Sequence, residues 1–214
     1  TAVAVITYLP VGLNVIVSQS ARELTSRAQA TPLLVGAKGS PLELVLNSLY
    51  FESDTPAPMQ LAEANRVDQS GLARAIPLYT RFRAGRSPIV GTTLEYVEFR
   101  GLQLAEGRTM AMMGECVLGS KAADTAGVGP SGYVLSSPES VFDLAGVYPL
   151  KMKVVGVLKP TGTPDDFAVF VDVKTTWVIE GLAHGHQDLS RPEAAAGVLR
   201  REGNKIIGNA SVVE

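Results

Sequence analysis

The chain carries no charged residue from Thr1 to Ala21, and the run Ala2 to Val17, AVAVITYLPVGLNVIV, is almost wholly apolar. Its first charge is Arg22. Apolar surface on this scale has to be removed from water, either by the protein's own core or by lipid. The run is shorter than the roughly 20 apolar residues that cross a hydrocarbon layer. It also lacks the basic flank and small-residue cleavage site of a secretory signal. Pro10 and Gly12 lie inside it, and a membrane helix tolerates both better than a water-exposed one. Two readings stand. The chain begins partway along a transmembrane helix and then leaves the bilayer, or it begins with a buried strand followed by a helix, since short apolar runs fit either.

Leu13, Val17, Ala21, Leu24 and Ala28 form one helical stripe. They predict a single helix running from the apolar segment into water, with Arg22, Glu23 and Arg27 off the stripe and Pro32 as its end. Leu33 to Val35 is a candidate buried strand, and Gly36 to Gly39 a turn. Ser40-Pro41-Leu42-Glu43 has the form of a capping box with proline at the first helical position. The helix that follows would put Leu42, Val45, Leu46 and Leu49 on one face. Phe51 to Pro58 reads as a loop and Gln60 to Gln69 as a short helix. Ala75 to Phe82 and Ser87 to Thr92 read as strands around a turn at Ala84-Gly85, Tyr96 to Leu104 is ambiguous, and Met110 to Leu118 enters a buried strand. Lys121 to Ala126 reads as a helical turn ending at Gly127. Lys151 to Leu158 and Phe167 to Val171 read as strands, with Asp172 capping a helix that carries Val173 and Trp177. Lys205 to Ile207 and Ser211 to Val213 read as strands. Interleaved strands and helices predict an α+β chain, a mixed β-sheet with helices on one face.

Composition narrows the functions. With 214 residues, 46% hydrophobic and 19% charged, the chain can build a core. Nineteen Lys and Arg against 21 Asp and Glu give a net charge of −2, which argues against a dedicated nucleic-acid binder. The single cysteine, Cys116, excludes an intramolecular disulfide and leaves the compartment open.

Each group with chemical potential has a structural alternative. Gly36-Ala37-Lys38-Gly39-Ser40 is glycine-rich before a helix but lacks the order of a phosphate loop, so no ATP hydrolysis is expected of this chain. His184 and His186, with Asp188 near them, could ligate a metal on an extended segment, but a full ligand set is not evident. Asp165-Asp166 are paired acids or a turn and helix-cap device. Ser131 lacks the glycine of a nucleophile elbow at Tyr133. Cys116 lies in an apolar run, as a buried structural thiol does. Arg81, Arg83 and Arg86 are a small basic cluster of the kind that lines a solvated edge. No catalytic, cofactor-binding or metal residue is assigned.

One resemblance gathers several of these segments. The run Leu34 to Leu46, with Ile89-Val90-Gly91-Thr92, Gly114 to Gly119, Val154 to Leu158, Thr163 to Asp166 and Val169 to Asp172, resembles the extracytoplasmic domain of MacB/FtsX-type ABC transporter permeases. The resemblance implies βαβ-type, porter-like units behind a first transmembrane helix, with residues 1–18 as the outer part of that helix. Residues 19–214 would be an extracytoplasmic domain that stops before a returning helix. Gln60 to Arg74 or Pro192 to Gly203 would stand where relatives insert a helical subdomain. It also implies no cofactor and no catalysis in this domain. A cytoplasmic ABC ATPase subunit would be the motor, a periplasmic adaptor and a homodimer the partners, the inner membrane and periplasm the location, and export or release of a substrate the function. The competing reading is a soluble α/β hydrolase using Cys116 or a His184/His186 metal site.

Overall fold

The computed structural model describes residues 2–52, 55–137, 149–182, 198–202 and 205–208. It opens with one long helix, α1 (Ala2–Gln29), with Pro10 inside it. The apolar start is therefore helix throughout and not a strand followed by a helix. The described members of its stripe, Leu13, Val17, Ala21 and Ala28, do not face a core. Tyr8, Leu9, Leu13, Ile16 and Val17 are all exposed, and along the described side chains of α1 only Arg27 is buried. Among the described residues no helix is long and apolar enough to cross a membrane.

α2 (Pro41–Tyr50) begins as its sequence dictates: Pro41 fills the first position and the Ser40 hydroxyl accepts the Glu43 amide at 3.3 Å. Its inward face differs from the apolar spacing. Leu42 is exposed, while Asn47 is buried with Leu49 and accepts the Thr80 hydroxyl at 2.5 Å. Leu33 to Val35 belongs to no strand, and Leu33 and Val35 are exposed. An apolar triplet becomes a strand only where an open sheet edge lies beside it. α3 (Leu61–Ser70) ends at Gly71 in the left-handed region and has no buried residue.

The sheet is built from β1 (Arg83–Ala84), β2 (Ser87–Thr92), β3 (Leu104–Gly107), β4 (Glu115–Leu118), β5 (Tyr133–Leu135), β6 (Lys151–Leu158) and β7 (Val169–Asp172), in the order β1-β2-β7-β4-β6-β3 with β5 also on β6. It is mixed. β2 runs parallel to β7, and β4 parallel to β6; β7 and β4 meet antiparallel at its centre. α5 (Ser120–Ala126) connects β4 towards its parallel neighbour β6, a βαβ-type unit. The expected strand from Ala75 to Phe82 meets β2 at two points only: Tyr79 exchanges two hydrogen bonds with Gly91, and the Phe82 carbonyl accepts the Ile89 amide at 2.8 Å. Pro77 has no amide hydrogen to extend the pairing. The ambiguous stretch after Thr93 divides into α4 (Leu94–Phe99) and then β3.

Both faces of the sheet are covered, where the sequence suggested one. Ile89, Cys116, Leu118, Val154, Val169 and Val171 face one cluster, shared with Ala122 of α5 and with Val178 and Ile179 of α6 (Val173–Ile179). Val90, Val117, Val155 and Phe170 face the other, shared with Phe51 and with Tyr96 of α4. Alternate residues of each strand point to opposite faces, so the uninterrupted burial of β2 and β4 requires layers on both sides. Beyond this sheet, β8 (Val198–Glu202) and β9 (Lys205–Gly208) form an antiparallel pair. The end of the Pro192 to Gly203 segment is thus strand, and the Gln60 to Arg74 segment is the single helix α3, so neither forms a helical subdomain among the described residues.

Candidate functional site at the root of the N-terminal helix

α1 meets the domain through its last turns. Arg27 reaches into the space between α4 and a 3₁₀ turn, Pro164–Phe167, that precedes β7. Its guanidinium grips Asp165 with two hydrogen bonds, Nη1 to Oδ2 at 2.6 Å and Nη2 to Oδ1 at 2.9 Å. Nη2 also donates to the Tyr96 hydroxyl at 2.8 Å, and that hydroxyl donates to Asp165 Oδ1 at 2.7 Å. The Thr163 hydroxyl completes the carboxylate's set at 2.9 Å. The Arg27 and Asp165 side chains are 7% and 2% exposed, so the pair is removed from water. The Phe51 ring lies 5.6 Å from the guanidinium carbon, a cation–π contact.

Local sequence explains why Asp165 is there to be held. Thr163 caps the 3₁₀ turn, Pro164 starts it, and Asp166 ties it back by accepting the amides of Thr161 and Gly162, each at 2.8 Å. Gly119, at the end of β4, presses on the same turn. A Cβ there would collide with the backbone of Asp165 and Asp166, and the Gly119 amide donates to Ala168 at 2.9 Å. A second strap lies alongside. Thr31 donates to the Arg27 carbonyl at 2.9 Å and accepts from Arg100 at 3.0 Å, while Arg100 stacks over Phe99 and Tyr96.

The charges are stabilised as charges. Burial alone would raise the Asp165 carboxyl, but hydrogen bonds and charge from Arg27, with Tyr96 and Thr163, hold it below the ordinary range. Burial works against the Arg27 cation too, and Asp165 with Tyr96 more than offsets it. The Tyr96 phenol is pushed well up, first by burial and then by the Asp165 charge. No member of this group is poised to exchange protons near neutrality. A bidentate ion pair of this kind fixes the orientation of its two partners as well as their distance.

The other sequence candidates lie elsewhere. Cys116 is fully buried at the sheet centre, where burial first and then Glu115 push its thiol up to about 12. That is the setting of an inert structural thiol. His184, His186 and Asp188 lie outside the described residues, and among those described no group of three or more His, Cys, Asp or Glu is placed to hold a metal. Lys38 lies in a bend before α2, and Ser131 sits in a left-handed turn whose amide donates to Val154 at 2.8 Å. Of the arginine cluster, Arg81 pairs with Glu180 at 3.0 Å, while Arg83 donates to the Arg86 carbonyl at 2.6 Å. Sequence reasoning set Asp165 aside as a turn device and put Arg27 off the apolar stripe. The structure makes them partners.

No curated protein matches the chain. Among solved structures, it is similar to the periplasmic region of MacB from Actinobacillus actinomycetemcomitans, with 15% identity, a TM-score of 0.41, and coverage of 56% of this chain and 57% of that one. The match thus spans little more than half of that structure. The family model described as MacB-like periplasmic core domain matches residues 3–200. The chain therefore belongs to the MacB-like periplasmic core domain family.

Proposed function

We propose that this chain is the extracytoplasmic part of an ABC transporter permease and that it serves as a mechanical and binding module rather than an enzyme. The observation that carries the reading is the family match over residues 3–200. In this reading residues 1–18 are the outer part of a transmembrane helix and residues 19–214 the domain in the periplasmic space. The exposed apolar side chains from Tyr8 to Val17 support it, because lipid is a medium in which such a surface is at rest. A cytoplasmic ATPase subunit supplies the energy, two permease copies pair, and an adaptor or the substrate meets the domain. The Arg27–Asp165 joint is then the point where movement of the helix enters the sheet, through the turn that leads into β7.

Two measurements test this in the full-length protein. A cysteine at exposed Lys159, in a Cys116→Ala background, is expected to react with a membrane-impermeant maleimide in spheroplasts. Reaction only after lysis would overturn the location. With the ATPase present, spin labels at Arg22→Cys and Lys159→Cys are expected to change separation between nucleotide-free and ATP-bound states. Arg27→Gln is expected to separate that change from ATP turnover, which continues. An unaltered distance response in Arg27→Gln would remove the joint from the coupling path.

A further inference from the structure

α2, α3 and α5 each close on a residue in the left-handed region. α3 uses Gly71 and α5 uses Gly127, the residue type that adopts this backbone most easily. α2 uses Phe51, at φ 57° and ψ 29°. A side chain with a Cβ is disfavoured there, and a bulky one is an outlier. The Phe51 amide donates to the Asn47 carbonyl at 3.1 Å, and the Glu52 amide to the Leu46 carbonyl at 3.2 Å. Glycine would close the helix in the same way, so the reason for a phenylalanine lies in its ring.

Phe51 is 4% exposed. The Arg27 guanidinium carbon lies over its ring, 5.6 Å from the centroid. Phe170 of β7 meets the ring edge-on, with centroids 6.5 Å apart, and Phe170 in turn lies 5.6 Å from the Tyr96 ring. Arg27 makes its side-chain hydrogen bonds through Nη1 and Nη2, and among the described residues its buried Nε has no acceptor. A donor buried in that way is costly unless something else stabilises the cation. An aromatic face does so, and it admits no water. Water beside the guanidinium would give Nε a partner, but it would raise the local dielectric and weaken the pair with Asp165.

We propose that Phe51 is a positioning residue of the Arg27–Asp165 joint. Its ring, carried on a backbone that glycine would adopt more easily, keeps water from the guanidinium and ties the end of α2 to the root of α1. The test uses the full chain. Phe51→Leu keeps an apolar side chain and the left-handed position but removes the ring face. It is expected to raise the unfolding constant in urea about fivefold more in the otherwise unchanged chain than in the Arg27→Met, Asp165→Leu chain, as befits a desolvated cation–π contact. Backbone strain and lost packing against Phe170 are common to both backgrounds and cancel in the comparison. Exchange of the Arg27 Nε proton with water, followed by nitrogen-15 NMR, is expected to speed up in Phe51→Leu while the amides of β4 and β7 keep their rates. Phe51→Gly, which relieves the backbone and removes the ring, is expected to be less stable than the unchanged chain. An equal cost of Phe51→Leu in the two backgrounds, unchanged Nε exchange, or a more stable Phe51→Gly overturns the proposal. It rests on the geometry of the joint, and none of these outcomes touches the permease reading.

Discussion

Removing one member of the Arg27–Asp165 pair leaves the other charge buried without compensation, which costs about 3–5 kcal/mol in comparable settings. Asp165→Ala is accordingly expected to lower stability by about that amount in urea unfolding. The double change Arg27→Met, Asp165→Leu is expected to recover most of the loss, since no orphan charge remains. Glu115 permits a pH test. The Arg108 hydrogen bond, aided by the amides of Ala111 and Met112, outweighs burial and holds its carboxyl down to about 2, against an ordinary 4.5. The folded form thus binds this proton more weakly than the unfolded one. The pair's contribution is complete above about pH 4.5 and is lost as pH falls towards 2. Denaturation midpoints between pH 6 and 2.5 should fall in that window, and Arg108→Gln should flatten the fall; an unchanged slope in that variant would count against the assignment. Neither ion pair was legible beforehand. Arg27 and Asp165 lie 138 positions apart, and no local pattern marks a cation at a helix end as one that turns inward.

Elements with their own local signals were readable, and those that depend on neighbours were not. The Ser40 cap, the Asp172 cap and the apolar alternation of β6 are written within a few residues and reappear in the structure. Leu33 to Val35 has the composition of a strand but finds no edge, and Tyr79 joins the sheet where its flanks do not. The two-faced sheet was hidden in the same way, because a short buried strand and a half-buried one differ only in what covers them. Gly119 shows how closely these elements meet. Its φ is −64°, so glycine stands there for space and not for conformation. Gly119→Ala is expected to push the 163–168 turn away from β4 at a cost of about 1–3 kcal/mol. The Arg27–Asp165 geometry should loosen with it, seen as faster amide exchange at Asp166 and Ala168, whose amides hydrogen-bond within that turn.

At the scale of the molecule, α1 divides into an apolar stretch that the domain leaves uncovered from Tyr8 to Val17 and a root that it grips at Arg27. Deleting Thr1 to Val17 is expected to leave a soluble domain with cooperative thermal unfolding, because the core clusters and the joint lie beyond the cut. Extending the deletion through Gln29 removes Arg27 and should lower the melting temperature markedly. Equal melting temperatures for the two truncations would mean that the joint adds nothing to the domain. The family was legible from short motifs in order along the chain, although no single one of them is decisive.

The central position of β7 also bears on how the chain folds during synthesis. β7 pairs with β2, 80 positions earlier at Ile89 and Val169, and with β4 on its other side. The middle of the sheet therefore stays open until the ribosome has passed Asp172, and long-range pairings of this kind close slowly. The N-terminal helix is finished well before Asp165 exists to receive Arg27. In a membrane-inserted parent, the helix would take its place in lipid first. The domain would then assemble onto a root already fixed in space, with the buried ion pair among the last contacts to form.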